Sequence, residues 1–359
     1  MEWPRRDVCD LFGIEHPILL APMAGATTPA LVAAVSNAGG LGGHGCAVMS
    51  PQQVREEIAA IRAATNRAFQ VNFFVHDLPD PKGNAGPAMR AKIEACYKEA
   101  GLGALPAIAN PWPRFDDAAL DVVLETKPAV VSFHFGLPDE TVMSSLKEAG
   151  VTVLSSATTV DEAVELEKRG VDAVIAQGFE AGGHRGTFLG RVDSGTVGTM
   201  ALVPQVVDAV SVPVIAAGGI ADGRGIAAAL MLGAAAVQIG TAFLSAPEAA
   251  TSELHRAELL SGRARRTMVT HTISGRPARG MRNRLLDETE TIQDEAAPFP
   301  MQASLTGPLR GAGNPEFMAL WAGQAAPLNR AMPAAELIGV LVEETERALH
   351  GGSMAIPGS

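Results

Sequence analysis

Short apolar runs recur along the chain, at residues 18–21, 41–43, 69–75, 129–133, 151–155, 173–176, 214–217 and 235–239. They are continuous rather than alternating, as parallel strands covered on both faces require. Between them lie segments with helical spacing and recognisable ends. Thr28-Pro29 opens a helix that closes near Gly39-Gly40, and Ser50 caps the next with Pro51 at its first position. Residues 87–101 predict a helix inside a long connection that runs from 77 to 115. Thr159 opens a helix stopped by Gly170, Asp222 caps one that ends at Gly233, and residues 333–349 form an amphipathic helix. Eight strands alternating with helices over about residues 15–250 predict an α/β fold, a TIM (β/α)8 barrel. A doubly wound open sheet shows the same alternation, and strand counting leaves it open. Residues 1–250 are read as the cofactor-binding barrel, and 251–359 as an extension whose final helix completes the same unit.

Composition narrows the function classes. With 47% hydrophobic residues in 359, the chain buries a large core and is not disordered. A net charge of −11 argues against nucleic acid as a partner. Three cysteines cannot staple a chain this long, which points to a reducing, cytoplasmic setting. The first residues show no apolar signal core. Residues 225–247 carry no charge and are long enough to cross a bilayer, but Gly233 and Gln238 favour helix, turn and strand, so no membrane contact is expected. The 38 glycines and 4% aromatic content suggest a scaffold of small residues with many tight turns.

Active sites of such barrels sit at the C-terminal strand ends. Four of the eight histidines map there: His44, His76, His134 and His184. Histidine titrates near neutrality and suits proton transfer. Three glycine-rich stretches map to the same rim. Residues 177–186 begin with Gln177 and include Gly178, Gly182, Gly183 and His184. Residues 216–225 contain Gly218-Gly219, and residues 238–243 begin Gln238-Ile239-Gly240-Thr241. Glycines after the last two barrel strands are where such folds hold a phosphate on backbone N–H groups, so a phosphate-bearing cofactor is expected. Residues 40–45 fit G-x-G-x-x-G by letter but open no helix, and His44 and Cys46 lack a second pair at metal-ligand spacing, so no metal centre is expected. Eight arginines between Arg256 and Arg284 are either an anion patch or a set of ion pairs.

At these residues the chain resembles the nitronate monooxygenases, formerly 2-nitropropane dioxygenases, of class I type. The likeness runs from Ile14 to Ala348. It is carried in order by residues 16–18, 21–23, 35–42, 70–74, 131–136, 177–186, 216–225, 238–243, 274–280 and 321–324. The resemblance implies a TIM barrel with non-covalent FMN. Asn72 and Gln177 would then hydrogen-bond the ring system. Pro22 and Met23 would flank it, and Gly182, Gly183, Gly218 and Gly219 would approach flavin and phosphate. Gln238, Ile239, Gly240 and Thr241 would hold the phosphate end. His184 corresponds to the family's catalytic base and His134 to a second active-site histidine. The sole tyrosine is Tyr97, so a site tyrosine in the extension has no counterpart.

The activity so implied is oxidation of a nitronate, or of a nitroalkane after proton removal by a His184 of ordinary pKa near 6.5, by dioxygen to an aldehyde or ketone and nitrite. Two other readings share the residues. One is an NAD(P)H-dependent flavin reductase of quinones or enoyl/CoA thioesters, whose carrier phosphate the arginines would meet. The other is a non-catalytic binder of a phosphate ligand. The apolar final helix offers a surface for a homodimer.

Overall fold

A computed structural model describes residues 3–80, 82–191 and 195–351. Its strands are β1 (Ile18–Leu20), β2 (Gly42–Gly45), β3 (Phe69–Phe74), β4 (Val130–His134), β5 (Thr152–Ala157), β6 (Ala173–Gln177), β7 (Gly183–His184), β8 (Val214–Ala217), β9 (Ala236–Ile239), β10 (Thr267–Thr270) and β11 (Ala278–Met281). Eight of them pair in parallel in the order β1-β9-β8-β6-β5-β4-β3-β2. A bridge between Leu19 and Leu41 joins the two ends and closes the barrel. The closure decides between the barrel and the open sheet.

Each apolar run became a strand because both of its faces are covered. In β3, Phe69, Val71 and Phe73 pack outward under the helices, whereas Gln70 and Asn72 line the interior. In β4 the inward positions are Val130, Ser132 and His134, so the interior grades from apolar floor to polar mouth. The floor is plugged by the helix Asp7–Phe12, whose Val8 and Phe12 join Leu19, Leu41, Leu154 and Ile215.

The expected helix ends are observed with their mechanisms. Ser50 and Gln53 form a capping box over Pro51–Ala64, and Thr28, Thr159 and Asp222 each accept a backbone N–H through their side chains. Gly233 takes a left-handed φ of 96° to end the helix Gly223–Met231. The uncharged stretch 225–247 divides into that helix, β9 and a short 3-10 turn, and among the described residues no helix is long and apolar enough to cross a membrane.

The extension is joined to the barrel more closely than its sequence suggested. β7 lies in the glycine-rich loop after β6, yet it pairs with β11 of the extension in a three-stranded antiparallel sheet, β10-β11-β7. The helix Pro87–Glu99 of the long connection packs into the extension's own core, with Tyr97 donating its hydroxyl proton to the Leu305 carbonyl. The final helix, Ala334–Leu349, lies against the helices Pro29–Asn37 and Gly223–Met231 and buries Leu337, Ile338 and Leu341 there. Its apolar face is therefore spent inside the chain, which removes the basis for expecting a dimer through it.

Candidate active site

The barrel mouth gathers three of the four expected histidines. His44 is the exception: it sits within β2 opposite the outward-facing Val71 and is fully buried beneath Glu57, with Nε2 3.1 Å from the carboxylate. The glycines flanking it give no hydrophobic alternation to mark a face, which is why the spacing misplaced it.

His134 and His184 are held in different ways. His134 directs Nε2 at the backbone carbonyl of His184 (3.1 Å) and Nδ1 at the Ser156 hydroxyl (3.1 Å). A carbonyl only accepts, so Nε2 carries the proton and Nδ1 accepts from Ser156. Both ring nitrogens are thus occupied, and His134 braces the loop that bears His184. His184 is half-buried, with Nε2 2.8 Å from the Ser274 hydroxyl, which itself donates to the Arg276 carbonyl (3.3 Å). That arrangement assigns the Nε2–H tautomer to His184 and leaves the Nδ1 lone pair free. Burial, then the neighbouring His134, Arg276 and His76, pull the pKa of His184 down to about 3. Burial likewise lowers His134 and His76 to about 4. The expectation of a base near 6.5 is corrected: His184 is uncharged at pH 7 and weakly basic.

The amides expected at a ring edge are partly engaged. Gln177 donates to the His184 carbonyl (3.0 Å) and accepts from Gly186 N–H (2.8 Å), and Asn72 gives both its hydrogens to Ser132. What remains for a ligand is the Asn72 carbonyl oxygen and, on Gln177, a second N–H and a second lone pair. Deeper inside, Gln70 reaches Leu20 and Gln238, and its Oε1 is buried without a partner.

The glycine cradle has the shape that an anionic group needs. Gly218 and Gly219 are consecutive left-handed residues, φ 106° and 73°. The N–H groups of Gly219 and Gly240 donate to no backbone carbonyl among the described residues. A Cβ on Gly240 would lie 3.3 Å from Ala21 and 3.4 Å from the Met23 sulfur. A Cβ on Gly182 would meet Gly323 N at 2.5 Å. Free N–H groups on two neighbouring glycine turns fit an anionic group such as a phosphate; the helix start at Gly223 is already occupied by Asp222 and Glu344. Thr241 accepts from Gly323 N–H (2.9 Å), while the Ile239 side chain faces the helical layer and leaves only its backbone to the site. Pro22 lies beside Met23 in the loop after β1, and Gly183 opens β7 with φ 71°. The whole loop is clasped by Arg185, fully buried, which donates to the carbonyls of Gly178 (2.6 Å), Gln177 (3.0 Å) and Gly195 (2.8 Å).

Sequence reasoning missed the surroundings of His184. Its ring is ringed by Phe74 (6.0 Å between centroids), Trp112 (6.1 Å), Phe135 (6.0 Å), Phe299 (5.4 Å) and Trp321 (5.7 Å). The scarce aromatics are concentrated here, supplied by β3, the long connection, the end of β4 and the extension. Phe135 holds a left-handed φ of 73°, an outlier for an aromatic residue, and the Ser155 hydroxyl secures the turn by donating to Gly136 O (2.8 Å). Phe74, Phe135 and Trp321 lie in the motifs already singled out, but nothing local says that they meet. Of the eight arginines, Arg263, Arg282 and Arg284 are tied in ion pairs to acidic neighbours. Arg276 is different: its guanidinium lies 3.9 Å over the Phe135 ring, at the site.

A closed parallel barrel with a glycine cradle and histidines set among aromatic rings at its mouth is the architecture of a barrel enzyme whose site lies at the C-terminal strand ends. Residues 5–344 match the family model described as nitronate monooxygenase. The nitronate monooxygenase of Paraburkholderia phytofirmans is 42% identical over 353 residues, covering 96% of each chain. A probable nitronate monooxygenase of Staphylococcus aureus is 39% identical, covering 97% of this chain and 99% of its own. Among solved structures, nitroalkane oxidase from Streptomyces ansochromogenes superposes with a TM-score of 0.86 at 39% identity, covering 96% of this chain and 99% of that one. FabK from Thermotoga maritima gives a TM-score of 0.75 at 34% identity, covering 98% of both chains. The chain belongs to the nitronate monooxygenase family, flavin-dependent oxidoreductases that oxidise nitronates.

Proposed function

We propose that the flavin is FMN, that dioxygen is the co-substrate, and that the preformed nitronate anion, not the neutral nitroalkane, is the substrate turned over efficiently. The observation that carries this reading is His184, uncharged and weakly basic among five aromatic rings, with Nδ1 open. A base with a pKa of about 3 removes a carbon-bound proton reluctantly at pH 7. A nitronate has already lost that proton.

Gly218, Gly219, Gly240 and Thr241 would hold the phosphate. Asn72, Gln177, Gly182 and Gly183 would face the ring system, with Pro22 and Met23 at its side, and Gln238 and Ile239 would lie with the phosphate end. When bound, FMN supplies the electron transfer between nitronate and dioxygen. The protein's part is to bind and orient. The aromatic box excludes water from the reacting carbon. His184 Nδ1 accepts the α-proton when a neutral nitroalkane enters. His134 is a positioning residue that fixes the His184 backbone. Products are nitrite and an aldehyde or ketone. The three cysteines are unpaired and buried, which supports a reducing cytoplasmic setting.

The test is direct. The purified protein is denatured, and its released flavin identified as FMN or FAD by mass. The holoenzyme is then given ethyl nitronate in air and under argon. Nitrite release with oxygen uptake in air alone supports the reading; FAD, or nitrite release indifferent to oxygen, overturns it. The similarity to FabK favours a second reading, a reductase using NAD(P)H. Rapid bleaching of the flavin by NAD(P)H under argon would support it. Three of the arginines that would have to meet a carrier phosphate are already neutralised by Glu258, Glu316, Asp287, Glu290 and Glu99.

A further inference from the structure

Among the described residues, no carboxylate pairs with the Arg276 guanidinium. Nη2 donates to the Thr187 carbonyl, and Nε is buried with no partner. Nη1 makes no hydrogen bond among the described residues and is not sealed off. Glu162 and Asp77 act on the guanidinium only from a distance, and Glu162 is already engaged by Thr158, Phe188 and Leu189. The guanidinium is held in place by Phe135, 3.9 Å beneath it, with Phe299 at 5.9 Å.

The rings that touch its aromatic supports bear no negative charge; the nearest carboxylates, Asp77 and Glu162, act on it from a distance, and Asp77 and Arg114 act likewise on His76. His134 and His184 have neutral rings in contact with Phe135, and His76 stands against Phe299 with ring centroids 5.1 Å apart. His76 is 8% exposed, and neither ring nitrogen has a partner. A half-buried cation without a counter-ion is costly, and so is a buried imidazole that makes no hydrogen bond. Both costs fall on one side of the box that encloses His184. An anion there would relieve both.

We propose that Arg276 is the residue that selects the anionic substrate: its free Nη1, with His76 beside Phe299, receives the two nitro oxygens of the nitronate. This rests on the reading of the site as one for nitronate oxidation, and it adds the residue that discriminates charge. The negative charge of a nitronate is shared by two oxygens on a planar group, which a guanidinium meets better than an ammonium does. A neutral nitroalkane presents the same shape with weaker acceptors and gains less. The carbon end would then point into the rings, which suit a small apolar substituent.

The experiment uses the holoenzyme and two isosteric probes. Propanoate should perturb the flavin's visible band and compete with ethyl nitronate, while propanamide, of the same shape without the charge, should bind about tenfold or more weakly, as expected for a hydrogen bond to a charged group. Arg276→Gln should raise KM for ethyl nitronate about ten- to a hundredfold, raise KM for nitroethane by a clearly smaller factor, and abolish the preference for propanoate. Arg276→Lys should recover part of the loss. Removing a positive charge near His184 should also move the acid limb of nitroethane turnover to higher pH. Equal binding of propanoate and propanamide by the wild-type holoenzyme overturns the proposal without any variant. So does an Arg276→Gln enzyme, with normal flavin content, that loses both substrates equally or neither. If the wild type discriminates the probes yet does not oxidise ethyl nitronate, the anion site stands and the proposed reaction falls.

Discussion

Lowering the pH should unfold this protein over an unusually narrow range, and the histidines say how steeply. His44, His76, His134 and His255 are held near pKa 4 and His184 near 3, each chiefly by burial. In the unfolded chain each returns to about 6.5. Below that value the unfolded state binds protons that the native state does not, so stability falls as pH falls. Between about pH 6 and 4.5 each histidine costs about 1.4 kcal/mol per pH unit, and the five together about 7. Domains of this kind are stable by about 5–15 kcal/mol. One to two pH units below 6 should therefore remove most of it. Depressed carboxyls add to the loss only at lower pH, since Asp222 and Glu316 sit below their usual range through Arg224 and Arg263. The assay is urea unfolding followed by the fluorescence of Trp3, Trp112 and Trp321, at steps from pH 7.5 to 4.5, with the flavin affinity measured at each step so that its contribution to stability is subtracted. The slope of stability against pH counts the protons taken up. A flat profile between pH 7 and 5, or a slope of one proton or fewer, would refute the account of these histidines as buried and neutral.

Other consequences are local. His184→Asn should retain flavin and lose turnover of nitroethane far more than of ethyl nitronate; equal loss on both sinks the assignment of Nδ1 as proton acceptor. Gly218→Ala places a Cβ 2.9 Å from the Ala181 nitrogen at φ 106°. It should cost about 1–3 kcal/mol of backbone strain and show as weakened flavin retention on dialysis. Arg185→Met strands three buried carbonyls and should destabilise the fold by about 3–5 kcal/mol, measured by urea unfolding. Trp112→Ala opens the box from the connection side and should improve KM for bulkier nitronates while leaving flavin content unchanged.

Much of the scaffold was legible because its causes are local. A strand covered on both faces must be continuously apolar, and a helix end needs a cap, so β1, β3 to β6, β8 and β9 and the ends at Ser50, Thr159 and Gly233 could be read directly, whereas the glycine-rich β2 was read one register short, with His44 beyond its end. The glycine stretches were legible because only glycine fits the left-handed pair at 218 and 219. What could not be read depends on meetings between distant segments. Phe74, Trp112, Phe299 and Trp321 surround one imidazole, yet span most of the chain. β7 is two residues long, too short for a hydrophobic period, and exists only because β11 lies beside it. The basicity of His184 was misjudged for the same reason. A pKa is set by what surrounds the ring, and here the surroundings come from other elements.

The pairing of β7 with β11 divides the labour of the molecule unevenly along its length. The barrel carries the expected cofactor cradle, but four of the groups gathered around His184 and Phe135 (Ser274, Arg276, Phe299 and Trp321) belong to the extension. Two backbone pairs, Ala278 with His184 and Arg279 with Gly183, join the two sets. On the proposed reading of the site, the extension would act as a selectivity cassette. A relative could keep the cradle and its redox chemistry and change what it oxidises by rewriting residues 274–321, provided that the two-residue seam is kept.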